Sequence, residues 1–228
     1  MITIREFTLF STEHFFYIFG YGGLAALSLY LPKLFKLDID NFAKISGYFI
    51  LVEKTIELIY RYIIFKEPFL NLLPFNMCNY TMILAAFMMI FRSKKIFNVV
   101  YFWSIGAILA IATPDIRIAF PNYSNISFFL THYYIYFAMF YGLIHFKFSI
   151  TFDSLKKSFI YINGIMLVLF PLNFLLDTNY MFLKKKPIAS PMDFLGPWPF
   201  YIISLEVVMI ILFTLMYLPF RKKTLKTL

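Results

Sequence analysis

The residues best suited to covalent chemistry are the single cysteine, Cys78, and one of three histidines, His132. A thiolate is a strong nucleophile, and an imidazole beside it can take its proton and pass it on to a leaving group. A third polar group usually orients the imidazole, and Asn173 or Asp115 could serve. Asn76, two residues before the cysteine, could donate to an oxyanion. Taken alone, a membrane cysteine is a small apolar residue. A membrane histidine needs a stronger reason to be there. His14 and His145 sit at opposite helix ends and read as interfacial. His132 has no second histidine or acidic residue at ligand spacing, so neither a metal nor another cofactor is expected. One cysteine excludes an intrachain disulfide and a cysteine-rich metal site.

The elements that must position these side chains are membrane helices. Of 228 residues, 61% are hydrophobic and 14% charged, against about half and about a quarter in soluble domains. Long apolar runs recur along the chain, which predicts an all-α, polytopic helical bundle forming one domain over residues 1–228. Seven helices are expected, at about His14–Leu31, Ile45–Phe65, Leu72–Phe91, Phe97–Ala112, Ser127–Phe146, Ser158–Leu176 and Trp198–Phe220. Pro32 should end the first, and Gly20, Gly22 and Gly23 should let a neighbour approach it. Pro171 should kink the sixth. The start, Ile2 to Glu13, is interrupted by polar residues, and no small-residue cleavage site follows the first apolar run, so no cleavable signal peptide is expected.

The formal net charge is +9. No nucleic-acid motif accompanies it, so the excess reads as positive-inside topology and attraction to lipid headgroups. With seven helices, thirteen Lys and Arg in loops fall on one side and six on the other. That places the C-terminus in the cytoplasm and the N-terminus outside, in a multi-pass protein of the cell membrane. The run Lys184–Lys186 dissents. Cys78 then lies six residues into the third helix and His132 five into the fifth, both roughly 8–9 Å below the outer ends. The Thr113-Pro114-Asp115 turn, Asn173, Asn179 and Tyr180 belong to the same side.

The second helix is the least hydrophobic. Glu53, Glu57 and Arg61 are four apart and share one face. Charge at membrane depth is costly, so that face should point into the bundle or to water. An ion-pair ladder would explain it structurally. With Glu206 in the last helix, these charges also suit a transporter or a small-molecule-binding bundle, although no internal repeat is visible.

Several blocks, in order, carry a resemblance. Leu73-Pro74-Phe75-Asn76-Met77-Cys78 is similar to the Leu-Pro-Leu-His-Leu-Cys signature of the YwaF family of bacterial integral membrane proteins. Tyr101-Phe102-Trp103 with Gly106, then Thr113-Pro114, resembles its fourth helix and the turn that follows. Phe128-Phe129-Leu130-Thr131-His132 resembles its Phe-Phe-x-x-His segment. Asn179-Tyr180-Met181-Phe182-Leu183, Lys186-Pro187 and Leu195-Gly196-Pro197-Trp198-Pro199-Phe200-Tyr201 resemble its later blocks. Asn76 departs from the pattern, which has histidine there, and asparagine cannot serve as a base near neutral pH. The YwaF family is distantly similar to a eukaryotic transmembrane acyltransferase that moves acyl chains between phospholipids, and to membrane hydrolases of fatty-acid esters.

The resemblance implies Cys78 as nucleophile and His132 as base. The expected function is a membrane-embedded lipid acyltransferase or acyl-ester hydrolase working through an acyl-thioester near the outer leaflet, with membrane lipids as partners. Asn76, Asp115 and Asn173 would support the chemistry. Glu53, Glu57, Arg61, Asn179, Tyr180, Trp198 and Glu206 are the candidates for contact with substrate.

Overall fold

The computed structural model describes residues 5–187 and 191–224. The chain is helical throughout. Its helices are α1 (Thr12–Leu34), α2 (Ile39–Ile64), α3 (Phe69–Leu72), α4 (Met77–Phe91), α5 (Lys94–Trp103), α6 (Ile105–Ala112), α7 (Tyr123–Ile144), α8 (Phe152–Leu175) and α9 (Phe200–Thr224). Among the described residues the sole β-pairing is an isolated bridge between Glu6 and Ile118. Among the described residues four segments are long and apolar enough to cross a membrane: Thr12–Leu34, Lys94–Ala112, Phe152–Leu175 and Phe200–Arg221. Each expected helix is present, but two of them are divided.

The local sequence explains the boundaries. Asp38 caps α2 by accepting from the Asn41 amide at 2.7 Å, so the helix begins at Ile39, six residues before the expected start. Thr151 and Ser154 form a reciprocal capping box that starts α8 at Phe152 rather than Ser158. α1 runs through Pro32 to Leu34. A proline so near the end forfeits one bond, that to the Ser28 carbonyl, and the last turn survives it. The fourth expected helix is broken at Ser104, whose hydroxyl donates to the Tyr101 carbonyl at 2.7 Å.

The largest departure lies in the third helix, which was expected over Leu72–Phe91. It is split into α3 and α4, and residues 73–76 between them are not helical. Proline disfavours the α conformation in the residue before it, and Leu73 is extended at φ −62° and ψ 137°. Asn76 is extended too, and the helix restarts at Met77.

Side-chain bonds fix how the helices run. The Tyr133 hydroxyl reaches the Ile18 carbonyl at 2.7 Å and His145 the Leu29 carbonyl at 2.8 Å, so α1 and α7 run parallel. Tyr141 bonds the Ile39 carbonyl at 2.8 Å while Tyr123 meets Glu53, so α2 runs against α7. Arg92 pairs with Asp40 at 3.0 Å, so α4 runs against α2. One end of the bundle therefore gathers Lys33, Arg92, Lys94 and His145, and the other gathers the α3–α4 break and the loop after α6.

The core between α2, α4, α5 and α7 is built from small and flexible residues: Ala43, Ala85, Ala86, Met82, Met88 and Met89 are buried with Phe97, Phe102 and Tyr141. α2 approaches α4 closely at Gly47, where an added Cβ would sit 2.7 Å from Ile90 Cγ1 and 2.8 Å from the Ala86 carbonyl oxygen. Of the three glycines expected to admit a neighbour to α1, Gly22 alone meets one, the Tyr133 ring, at 3.3 Å from an added Cβ. Gly47→Ala should cost about 1–3 kcal/mol through overpacking, because the Ala86 carbonyl belongs to the backbone and cannot rotate away. Gly23→Ala, with nothing within 4 Å of the added atom, should be neutral or stabilising. Thermal unfolding of the two purified variants checks both.

Candidate functional site

The broken helix places Cys78 in the first turn of α4, its second residue, rather than six residues down a continuous helix. The thiol is half-buried and, among the described residues, takes part in no hydrogen bond. Asn76 does not cap α4 with its side chain. Among the described residues the amides of Met77, Cys78 and Asn79 have no acceptor, and they lie at the positive end of the helix, where negative charge is favoured. Gly106 of α6 faces this turn: an added Cβ would lie 4.0 Å from Cys78 Sγ and 3.5 Å from Met77 Sδ.

α4 packs directly against α7, the helix that carries His132. His132 is buried, at 8% exposure. Its Nδ1 lies 2.6 Å from the Phe128 carbonyl oxygen, one turn earlier on the same helix, and its ring lies over the Phe128 ring at 4.1 Å. A carbonyl only accepts, so Nδ1 carries the proton and Nε2 keeps a lone pair. Nε2 makes no hydrogen bond among the described residues. Cys78 is within electrostatic reach of Tyr136, one turn beyond His132 on α7, and the Lys54 ammonium is within reach of both Cys78 and His132. The thiol and the imidazole thus sit on helices that pack together, α4 and α7, with no hydrogen bond between them among the described residues.

The residues expected to orient His132 are elsewhere. Asp115 is exposed in the loop after α6. Asn173 is fully buried, but its Oδ1 accepts from the Tyr180 amide at 2.6 Å and the Thr178 hydroxyl at 3.0 Å, and its Nδ2 donates to the Tyr180 carbonyl at 3.0 Å. It fastens the loop that follows α8. The Phe128 carbonyl does the orienting, and no side-chain pattern announces a backbone acceptor.

That loop is a strap laid over the α3–α4 break. Asn76 Oδ1 accepts from the Met181 amide at 2.9 Å, which leaves Asn76 Nδ2 as a free donor beside the start of α4. The Tyr180 hydroxyl donates to the Leu70 carbonyl, and Tyr180 packs with Leu183 against Leu73 and Phe75. Asn179 ties the strap to itself, accepting from the Lys184 and Lys185 amides at 3.0 Å. Trp198 Nε1 donates to the Leu183 carbonyl at 3.3 Å, and the Tyr201 hydroxyl donates to that of Phe182. Asn179, Tyr180 and Trp198, expected to touch substrate, therefore spend their polar atoms on holding the strap.

The charges of α2 largely close on one another. Glu57 is buried between Lys54 at 3.0 Å and Arg61 at 3.6 Å, and Arg61 grips Glu67 through two bonds of 2.6 and 2.5 Å. Glu206 accepts from Asn163 at 3.1 Å, linking α9 to α8 and standing apart from the α2 ladder. Among the described residues no group of three or more His, Cys, Asp or Glu could hold a metal ion.

Helices apolar enough to span a bilayer, with a cysteine and a histidine on two that pack together, define a membrane protein with polar side chains inside the bundle. The chain belongs to the TMEM164 family, whose sequence model matches residues 9–217. The motif resemblance pointed to the YwaF family; the match is to TMEM164. An uncharacterized protein of Treponema pallidum is 29% identical over 155 residues, covering 66% of this chain and 63% of that protein, so the match spans less than two thirds of the relative's length. No solved structure matches the chain.

Two substitutions separate the strap from the surface. Asn173→Ala removes three buried hydrogen bonds and leaves their partners unpaired, which should cost about 2–3 kcal/mol. Asp115→Asn should leave the melting temperature unchanged. Unfolding curves, with limited proteolysis after Lys184–Lys186 to report loosening of the strap, check both.

Proposed function

We propose that the chain is a membrane-embedded lipid acyltransferase or acyl-ester hydrolase in which Cys78 is the nucleophile and His132 the base. The observation that carries this reading is the state of His132. Its Nδ1–H is spent on the Phe128 carbonyl, so Nε2 is a partnerless base on the helix that packs against the Cys78 turn. Membership of the TMEM164 family supports a lipid-modifying membrane protein.

The steps follow from the chemistry of the two groups. Nε2 takes the thiol proton, and the sulfur attacks an ester carbonyl. The charge that develops on the carbonyl oxygen is met by the free amides at the start of α4 and by Asn76 Nδ2. The C–O bond breaks, the leaving alkoxide takes the proton from the imidazolium, and an acyl-thioester remains on Cys78. A hydroxyl of a second lipid, or water, then gives its proton to Nε2 and attacks the thioester. The thiolate leaves and recovers that proton. Gly106 of α6 leaves room beside the sulfur, with Met77 at the same turn.

The chain crosses the cell membrane seven times in this reading. Its passes are α1, α2, α4, α5 with α6, α7, α8 and α9, with the N-terminus outside and the C-terminus in the cytoplasm. The asymmetry of basic loop residues supports that orientation. It brings Cys78 to the outer half of the bilayer, near the depth of lipid ester carbonyls.

The test is acyl exchange or release from defined phospholipids by protein reconstituted in nanodiscs, followed by mass spectrometry. Cys78→Ala should abolish turnover, and His132→Ala should lower it by about 10²–10⁴-fold, with both variants melting within a few degrees of wild type. Turnover that survives Cys78→Ala in folded protein would overturn the reading.

A further inference from the structure

Helix α2 carries one buried carboxyl that its ion pairs leave out. Glu53 is 7% exposed. Its Oε1 accepts from the Tyr123 hydroxyl at 3.2 Å, and its Oε2 has no hydrogen-bond partner. The Ser127 hydroxyl, 1% exposed, stands beside the same carboxyl but outside hydrogen-bond geometry, so its Oγ is also unpartnered.

The charges around Glu53 do not cancel. Lys54 is held by Glu57, and Arg61 is shared between Glu57 and Glu67. Three carboxylates, Glu53, Glu57 and Glu67, meet two cations, which leaves one negative charge. A buried carboxylate is retained when it is paired, and one neutral hydroxyl does not pair it.

We propose that Glu53 Oε2 and the Ser127 hydroxyl, with the Tyr123 hydroxyl at the same carboxyl, form a site for a small monovalent cation between α2 and α7. An all-oxygen donor set of one carboxylate and two hydroxyls suits a hard cation. One uncompensated charge suits a monovalent ion rather than a divalent one. The bound cation ties α2 to α7 one residue before Lys54, whose ammonium reaches both Cys78 and His132. The site therefore braces the wall of the reactive region. It stands on its own observations and does not depend on the acyl chemistry.

The test uses the full-length protein in detergent, unfolded thermally at constant ionic strength in sodium chloride against N-methyl-D-glucamine chloride. Sodium should raise the melting temperature saturably, by about 5 °C or more at a hundredfold excess over Kd. Glu53→Gln, nearly isosteric and verified as monodisperse by size exclusion, should abolish the shift. Ser127→Ala should raise the half-saturating sodium concentration. A wild type that melts identically in both salts would overturn the proposal and assign Glu53 a proton instead. A sodium shift that persists in Glu53→Gln would overturn it too, by moving the ion elsewhere.

Discussion

The site depends on a steric exclusion at one peptide unit. The ring of Pro74 disfavours the helical region for Leu73, and the apolar run from Leu72 to Phe91 is not one helix. It stops, passes through four non-helical residues, and restarts at Met77. A continuous helix would satisfy the amide of residue 78 with a carbonyl one turn back and leave the thiol as one more apolar side chain. The restart instead leaves the thiol in a turn whose amides have no acceptor among the described residues. The strap from Asn179 to Leu183 lies over the break. It borrows the Asn76 side chain and the Leu70 carbonyl, and is itself anchored by buried Asn173.

The buried charges of the α2 ladder are held because Glu57 is bracketed by two cations and Arg61 holds Glu67 in a two-pronged grip. This network fixes the Lys54 ammonium on Glu57, so the ladder reads as structural. Packing does the remaining positioning. Gly47 lets α2 close on α4, and Gly106 lets α6 approach the thiol.

Much of this is legible in the sequence, for physical reasons. Long apolar runs bounded by basic clusters announce helices, and all seven are found. Cys78, Asn76 and His132 stand out because polar side chains in apolar helices need partners. The helix start at Met77 was open to reading too, since Pro74 is visible, but hydrophobicity alone argued for continuity and hid the break. The orienting group of His132 was not legible: it is a backbone carbonyl, and any residue at position 128 supplies one. Asn173 and Asp115 had suitable chemistry and similar depth, yet Asn173 is consumed by the strap and Asp115 faces solvent. Asn179, Tyr180 and Trp198 were read as ligands for a substrate when their partners are carbonyls and amides of their own neighbourhood. Sequence gives a side chain's capacity for hydrogen bonds without saying where they are spent.

The central claim is that Cys78 carries the acyl group. The most direct measurement is acid-quenched mass spectrometry of the reconstituted protein after brief exposure to phospholipid with isotopically labelled acyl chains. The account predicts a labelled, hydroxylamine-sensitive acyl adduct on the peptide containing Cys78, missing in Cys78→Ala and slow to form in His132→Ala. Labelled acyl chains that move between lipids while the Cys78 peptide stays unmodified, or an adduct that forms equally fast without His132, would contradict it.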